Sequence, residues 1–108
     1  MIDRKKFLEI YAKGETELGR IPWNKVAGII QEQFTQQPFT ITMLLNACKA
    51  QGIEVSRIRL FAWLKEQAGI IRKKHPKVLV ELFAAKYMGT WYFYYTPDPE
   101  EKARLRNL

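Results

Sequence analysis

The sequence predicts a single α+β domain that is mainly α-helical and carries a small β-hairpin or sheet. Four segments within residues 1–69 have apolar side chains at helical spacing, bounded by capping residues, prolines or glycines. Residues 90–96, TWYFYYT, are β-branched and aromatic, which is typical of a strand. The length of 108 residues suits one domain. We therefore expect a helical part (1–69), a basic and β-rich part (70–96) and a charged tail (97–108).

The composition is that of a folded globular protein. Apolar residues make up 47% and charged residues 27% of the chain, which argues against disorder. No apolar run approaches the roughly 20 residues of a bilayer span, and the start, MIDRKKFLEIY, lacks a signal peptide's apolar core, so a cytoplasmic protein without membrane contact is expected. Cys48 and His75 are the only residues of their types, so we expect no disulfide, no metal site and no cofactor.

The first two helices are predicted from their caps and apolar stripes. Asp3 is a suitable N-cap for a first helix that ends at Lys13, before a glycine. Pro22 suits the first turn of a second helix. The apolar residues at helical spacing are Ile2, Phe7, Ile10 and Tyr11 in the first helix and Trp23, Val26, Ala27, Ile30 and Phe34 in the second.

The third and fourth helices form the pair that matters most for function. Thr40 is expected to cap a third helix that ends near Gln51, and Ser56 a fourth that ends at Gly69. Two helices joined by a short turn with a glycine have the plan of a helix-turn-helix, although this turn is about two residues longer than the tightest examples. The residues expected to follow the helical rhythm of the fourth helix are Ile58, Phe61, Ala62 and either Leu64 or Lys65.

Two structures fit the segment that follows Gly69. One is a wing of two strands with the lysines of residues 72–77 at its tip, which the Val-Leu-Val sequence at residues 78–80 favours. The other is a helix over residues 76–88 that ends at Gly89. The tail is expected to be a short charged helix or a frayed end.

The positive charge is concentrated in the middle of the chain. The net charge is +7 and the isoelectric point is near 9.7. Residues 1–48 carry six Lys/Arg against five Asp/Glu, residues 49–86 nine against three, and residues 87–108 three against three. Nearly all of the excess therefore lies around the fourth helix, which indicates a polyanionic partner rather than a charge that only aids solubility.

The candidate binding residues lie on the fourth helix and in the basic run after it. Arg57 and Arg59 occupy the first turn, where cations oppose the helix dipole, and arginine is the commonest side chain in bidentate contacts with guanine. A lysine-rich connector suits phosphate contacts. The nucleic-acid-binding residues expected from the sequence are Arg57, Arg59, Lys65, Arg72, Lys73, Lys74, His75, Lys77 and Lys86.

The aromatic strand offers a second possible surface. Alternation places Trp91, Phe93 and Tyr95 on one face, where they supply core mass, and Tyr92 and Tyr94 on the other. Exposed tyrosines on a sheet can stack on the bases of single-stranded DNA or RNA.

Catalysis is not expected. The sequence contains no GxxxxGK[ST], GxGxxG or GxSxG motif, and its histidine has no nucleophile or carboxylate at a useful spacing. We assign no catalytic residue and no small-molecule substrate. Three hypotheses follow. The first is a DNA-binding protein, and the second is a protein-interaction module, a small inhibitor or adaptor, that docks an acidic partner through the same basic face with Tyr92 and Tyr94. The third is an RNA or single-strand binder that uses the aromatic strand.

The residues Arg59-Leu60-Phe61-Ala62-Trp63-Leu64-Lys65-Glu66 and the following Gly69-Ile70-Ile71 resemble the core of a known family. This family is the C-terminal DNA-binding domain of phage antirepressors of the KilA-C type, in which a glycine with aromatics also follows, here Gly89, Trp91, Tyr92 and Phe93. The resemblance implies a phage or mobile-element regulator of transcription or replication. Its helix-turn-helix would contact DNA through Arg57, Arg59 and their neighbours. Helix-turn-helix proteins often bind symmetric sites as dimers, so a homodimer is a further candidate state.

Overall fold

The computed structural model describes residues 1–13, 21–71 and 78–108. Within these ranges the protein is a mixed α+β structure with five helices and one two-stranded antiparallel sheet. The helices are α1 (Arg4–Lys13), α2 (Trp23–Gln33), α3 (Ile41–Ala50), α4 (Arg57–Gln67) and α5 (Pro99–Arg106), and the strands are β1 (Phe83–Tyr87) and β2 (Thr90–Tyr94). No helix of the described ranges has both the length and the apolarity required to cross a membrane.

The predicted N-caps of three helices are confirmed. Asp3 Oδ1 accepts a hydrogen bond from the backbone N–H of Lys6 at 2.7 Å. Thr40 Oγ1 accepts one from Met43 at 3.3 Å, and Ser56 Oγ accepts one from Arg59 at 3.2 Å. Each cap satisfies an N–H group that has no partner within its helix, which fixes where the helix begins.

The hydrophobic core lies between α2, α3, α4 and the inner face of the hairpin. Its fully or nearly fully buried side chains include Val26, Ile29 and Ile30 of α2, Leu44 and Cys48 of α3, Leu60 and Leu64 of α4, and Phe93 of β2. The predicted stripe of α2 is confirmed, with Ile29 as an additional member. Trp23 stacks on Trp63 of α4 with ring centroids 4.9 Å apart, so both tryptophans pack α2 against α4.

A short segment between α2 and α3 extends the sheet. Phe39 exchanges two backbone hydrogen bonds with Phe93, of 2.9 and 2.8 Å. The backbone N–H of Gln36 donates to the carbonyl of Tyr95 at 2.8 Å. These bonds fasten β2 beside the start of α3, so the hairpin is held against the helices by backbone pairing as well as by side chains.

The hairpin differs from both structures that the sequence suggested for this region. In register, Phe83 faces Tyr94, Ala85 faces Tyr92 and Tyr87 faces Thr90. The turn is Met88–Gly89, and both residues have positive φ angles, 49° and 82°. Such angles are required by the tight turns that match the twist of a two-residue hairpin. The tip is therefore not at the lysines, and no helix covers residues 78–88.

Gln67 ties the hairpin to the end of α4. Its side chain is buried, and its Oε1 accepts hydrogen bonds from the backbone N–H groups of Leu79 at 2.7 Å and Val80 at 3.2 Å. The backbone carbonyl of Gln67 accepts a hydrogen bond from the backbone N–H group of Leu82 at 3.3 Å. The chain thus approaches β1 directly under the last turn of α4, which positions the hairpin beside that helix.

The two terminal helices contribute little to the core. Ile2, Phe7 and Tyr11 of the predicted apolar stripe are exposed, and the rings of Phe7 and Tyr11 stack on each other, so these residues do not mark a core face. The tail forms α5, capped by Asp98. Arg106 of α5 pairs with Glu81, which joins the tail to the chain entering β1.

Candidate functional site

The first turn of α4 presents three consecutive exposed side chains, those of Arg57, Ile58 and Arg59. The cap at Ser56 holds this turn in place. On the opposite side of the helix Leu60, Trp63, Leu64 and Gln67 are buried. The two predicted arginines therefore lie in a helical turn whose position is fixed by the buried side of α4 and whose other side is exposed to solvent.

Ile58 corrects the predicted apolar face of α4. The sequence placed it among the residues of the core, but 82% of its surface is exposed. The sequence of α4 contains two sets of apolar residues at helical spacing, and either could face the core. The set with Leu60, Trp63 and Leu64 is the buried one, because Trp63 packs against Trp23 of α2. The sequence shows that both tryptophans are large apolar side chains that need a partner surface, but it does not show that they meet.

Arg57 links the start of α4 to the start of α3. Its Nη2 donates a hydrogen bond to Thr42 Oγ1 at 2.8 Å. Thr42 was not a predicted site residue, although it lies in the capped first turn of α3. The bond uses one of the several N–H donors of the guanidinium group, so the group is oriented while further donors remain for a ligand.

A groove runs from these two helix starts to the hairpin turn. It is bordered by Thr40, Thr42, Arg57, Phe61, Gly89, Thr90 and Trp91. The starts of α3 and α4 and the hairpin therefore share one surface, and the tight turn at Gly89 lies beside Arg57.

Lys65 and Lys86 lie around an aromatic pair on the same side. Lys65 Nζ is 4.2 Å from the centroid of the Phe61 ring, and this ring is 6.4 Å from that of Trp91. Lys86 is exposed and faces Trp91 across the hairpin. Because strand side chains alternate, Lys86 shares the face of Trp91 that is turned towards α4. We call Arg57, Ile58, Arg59, Lys65 and Lys86 the α4–hairpin surface.

Comparison of the chain with protein-family models, with curated proteins and with solved structures found no match.

The other predicted cations lie outside the described residues. Arg72, Lys73, Lys74, His75 and Lys77 belong to residues 72–77, between the end of α4 and the approach to β1. Their place along the chain, and no more, associates them with the α4–hairpin surface.

The aromatic strand does not present a row of free rings. Phe93 is completely buried and Trp91 is half-buried beside Phe61. Tyr94 donates its hydroxyl hydrogen to Glu101 of α5, and this hydrogen bond raises the pKa of Tyr94. Tyr92 is 37% exposed and is the one ring of residues 91–94 that the structure classes as exposed. The two tyrosines of the proposed aromatic surface thus differ, since one is engaged by α5.

Cys48 and the acidic residues of the described ranges are the remaining candidates for reactive or metal-binding groups. Cys48 is buried in the core, and burial raises the pKa of its thiol, which disfavours the reactive thiolate. In the described ranges no group of three or more His, Cys, Asp or Glu side chains is arranged to hold a metal ion.

Proposed function

We propose that this protein binds duplex DNA, with α4 in the major groove and the hairpin beside it, and that it acts as a regulator or replication accessory of phage or mobile-element type. It carries out this role without catalysis. In fold terms we propose a winged-helix arrangement, in which α3 and α4 form the helix-turn-helix and β1 and β2 the wing.

The order of the elements supports this fold. A helix (α2), a short segment paired with β2, a helix pair (α3 and α4) and a hairpin follow one another along the chain. In a helix-turn-helix the second helix enters the major groove, and its N-terminal residues meet the base edges. Here the second helix is α4, and its N-terminal residues include the two arginines.

The observation that carries the proposal is the exposed and capped first turn of α4. With 11 residues, α4 is about 16 Å long and about as wide as the major groove admits. Arg57 and Arg59 supply rigid donor forks for guanine or phosphate, and neither is buried in an internal ion pair. A solvated face would not require two arginines at the positive end of a helix.

The hairpin is expected to contact the phosphate backbone. Lys86 and the groove at Trp91 flank α4 on one side. Lysine contacts to phosphate fix the register of a protein on the duplex without reading its sequence. Lys65, held over Phe61, is placed for the same role along the length of α4.

The proposal is tested by fluorescence anisotropy with a labelled duplex at several salt concentrations. If Arg57, Arg59, Lys65 and Lys86 each neutralise one phosphate, a plot of log K against log salt concentration should have a slope of about −3.6. Tyr92→Ala is the control variant, because its ring lies on the other face of the hairpin. Absence of duplex binding at low salt would contradict the proposal.

Stacking of single-stranded nucleic acid is the alternative that this control addresses. A binder of that kind would lose about 1–3 kcal/mol for each lost stack, whereas duplex binding should be unchanged in Tyr92→Ala. On the outer face of the hairpin the hydroxyl group of Tyr94 is engaged by Glu101, so the rings available for stacking there are those of Tyr92 and the exposed Tyr87.

A protein-interaction module is the second candidate function, and the exposed Ile58 between two arginines favours it. An acidic protein partner would match this surface chemically as well as DNA does, since its carboxylates could pair with the arginines and an apolar side chain could contact Ile58. Such a module would show no duplex affinity at physiological salt and would retain one protein partner through a contact that Arg57→Ala weakens.

A further inference from the structure

We propose that Ile58 reads the 5-methyl group of a thymine in the major groove. This inference rests on the proposed duplex-DNA binding and adds to it a specificity-determining contact. It also names the substrate class, which is thymine-containing B-form DNA rather than RNA.

Ile58 lies on the side of α4 that faces away from the core. Leu60, Trp63 and Leu64 bury one side of the helix. At about 100° per residue, Ile58 lies almost opposite the centre of that buried side. It is therefore the side chain of the first turn that points most directly away from the core, and its exposed fraction of 82% agrees with this direction.

Ile58 differs chemically from the two arginines that flank it. Arg57 and Arg59 offer only hydrogen-bond donors, so they can reach guanine or phosphate but gain nothing from a methyl group. Ile58 offers only methyl and methylene groups. Among the edges that base pairs present in the major groove, the apolar group is the C5-methyl of thymine. The first turn of α4 thus offers hydrogen-bond donors for the acceptor groups of the major groove and an apolar side chain for its methyl group.

The same chemistry separates DNA from RNA. Uracil lacks the 5-methyl group, and the major groove of an A-form helix is too deep and narrow for side chains to read. An apolar residue at the centre of the exposed turn would find no partner there. The contact is therefore specific to DNA.

The experiment begins with selection of bound duplexes from a randomised library by the full chain. In the selected duplex each thymine is then replaced in turn by deoxyuridine, which removes the methyl group alone. Affinities are measured for the natural protein, for Ile58→Ser and for Ile58→Val. Because Ile58 is exposed, neither substitution should disturb folding, which thermal unfolding checks.

We expect one thymine position at which deoxyuridine weakens binding by the natural protein about fourfold, the factor that corresponds to one buried methyl group. Ile58→Val should retain this sensitivity and Ile58→Ser should lose it. If no position is sensitive, if sensitivity persists in Ile58→Ser, or if Ile58→Ser changes the oligomeric state instead, the inference is overturned while salt-dependent duplex binding still stands. If no duplex is bound at all, the proposed function fails with it.

Discussion

Replacing Phe93 by alanine is expected to destabilise the domain by about 3–5 kcal/mol, the usual effect of removing a fully buried phenylalanine. Phe93 has no exposed surface, and its ring lies 6.0 Å from that of Phe39 and 6.4 Å from that of Phe61. The side chain therefore joins the hairpin to α4 and to the segment before α3. Its loss would leave a cavity at the point where these three elements meet.

The matched control for this change is Tyr92→Ala, one residue earlier on the opposite face of β2. Tyr92 is partly exposed, so its loss should cost no more than about 1 kcal/mol. Urea unfolding followed by circular dichroism gives both values. Equal destabilisation by the two substitutions would show that the inner face of the hairpin is not part of the core.

The double substitution Arg57→Ala/Arg59→Ala is expected to remove most of the affinity for duplex DNA. Each good bidentate arginine contact contributes about 1–3 kcal/mol, so the loss should be about 2–6 kcal/mol, or at least roughly thirtyfold. If both arginines instead contact phosphates, the salt slope should become less steep by about 2. The two outcomes are distinguished by whether the preference among sequences also relaxes.

Lys25→Ala/Arg104→Ala is the control for charge in this experiment. Both residues are exposed and belong to other helices, α2 and α5, and the substitution also removes two positive charges. A purely electrostatic attraction would weaken equally in the two double variants. The affinity loss must be larger in the α4 variant if this turn is the binding element.

The caps made the helix boundaries predictable from the sequence. Asp3, Thr40 and Ser56 each supply a side-chain oxygen to a nearby N–H, an interaction between residues three positions apart. Gly69 ends α4 with a φ angle of 73°, which glycine adopts readily. Such local interactions depend on few neighbours in sequence, so their patterns can be recognised without knowledge of the fold.

The hairpin was harder to predict because its stability is not local. Ala84, Ala85 and Lys86 are weak strand formers and favour helix. They form β1 because β2 lies beside them, fastened in turn to Phe39 by two backbone bonds. The positive φ angle of Met88 also has no sequence signature, since the left-handed region is unusual for methionine.

The candidate site was predicted only in part, because one of its features is local in sequence and the other depends on packing between distant residues. The position of Arg57 and Arg59 at a helix start followed from the cap at Ser56. The exposure of Ile58 could not be predicted in this way. Periodicity gives the spacing of an apolar face, but it does not show which of two interleaved faces packs against a neighbouring helix. That choice is made by Trp23, forty residues from Trp63 in the sequence.

The most direct test of the binding surface is a titration of the isotopically labelled protein with a duplex, followed by the amide signals in NMR. We expect the largest shifts at residues 57–59 of α4 and 89–91 of the hairpin, with smaller changes near Lys65. Largest shifts on α1, or on the outer face of the hairpin where Tyr92 and Leu105 of α5 line one pocket, would contradict binding through the α4–hairpin surface.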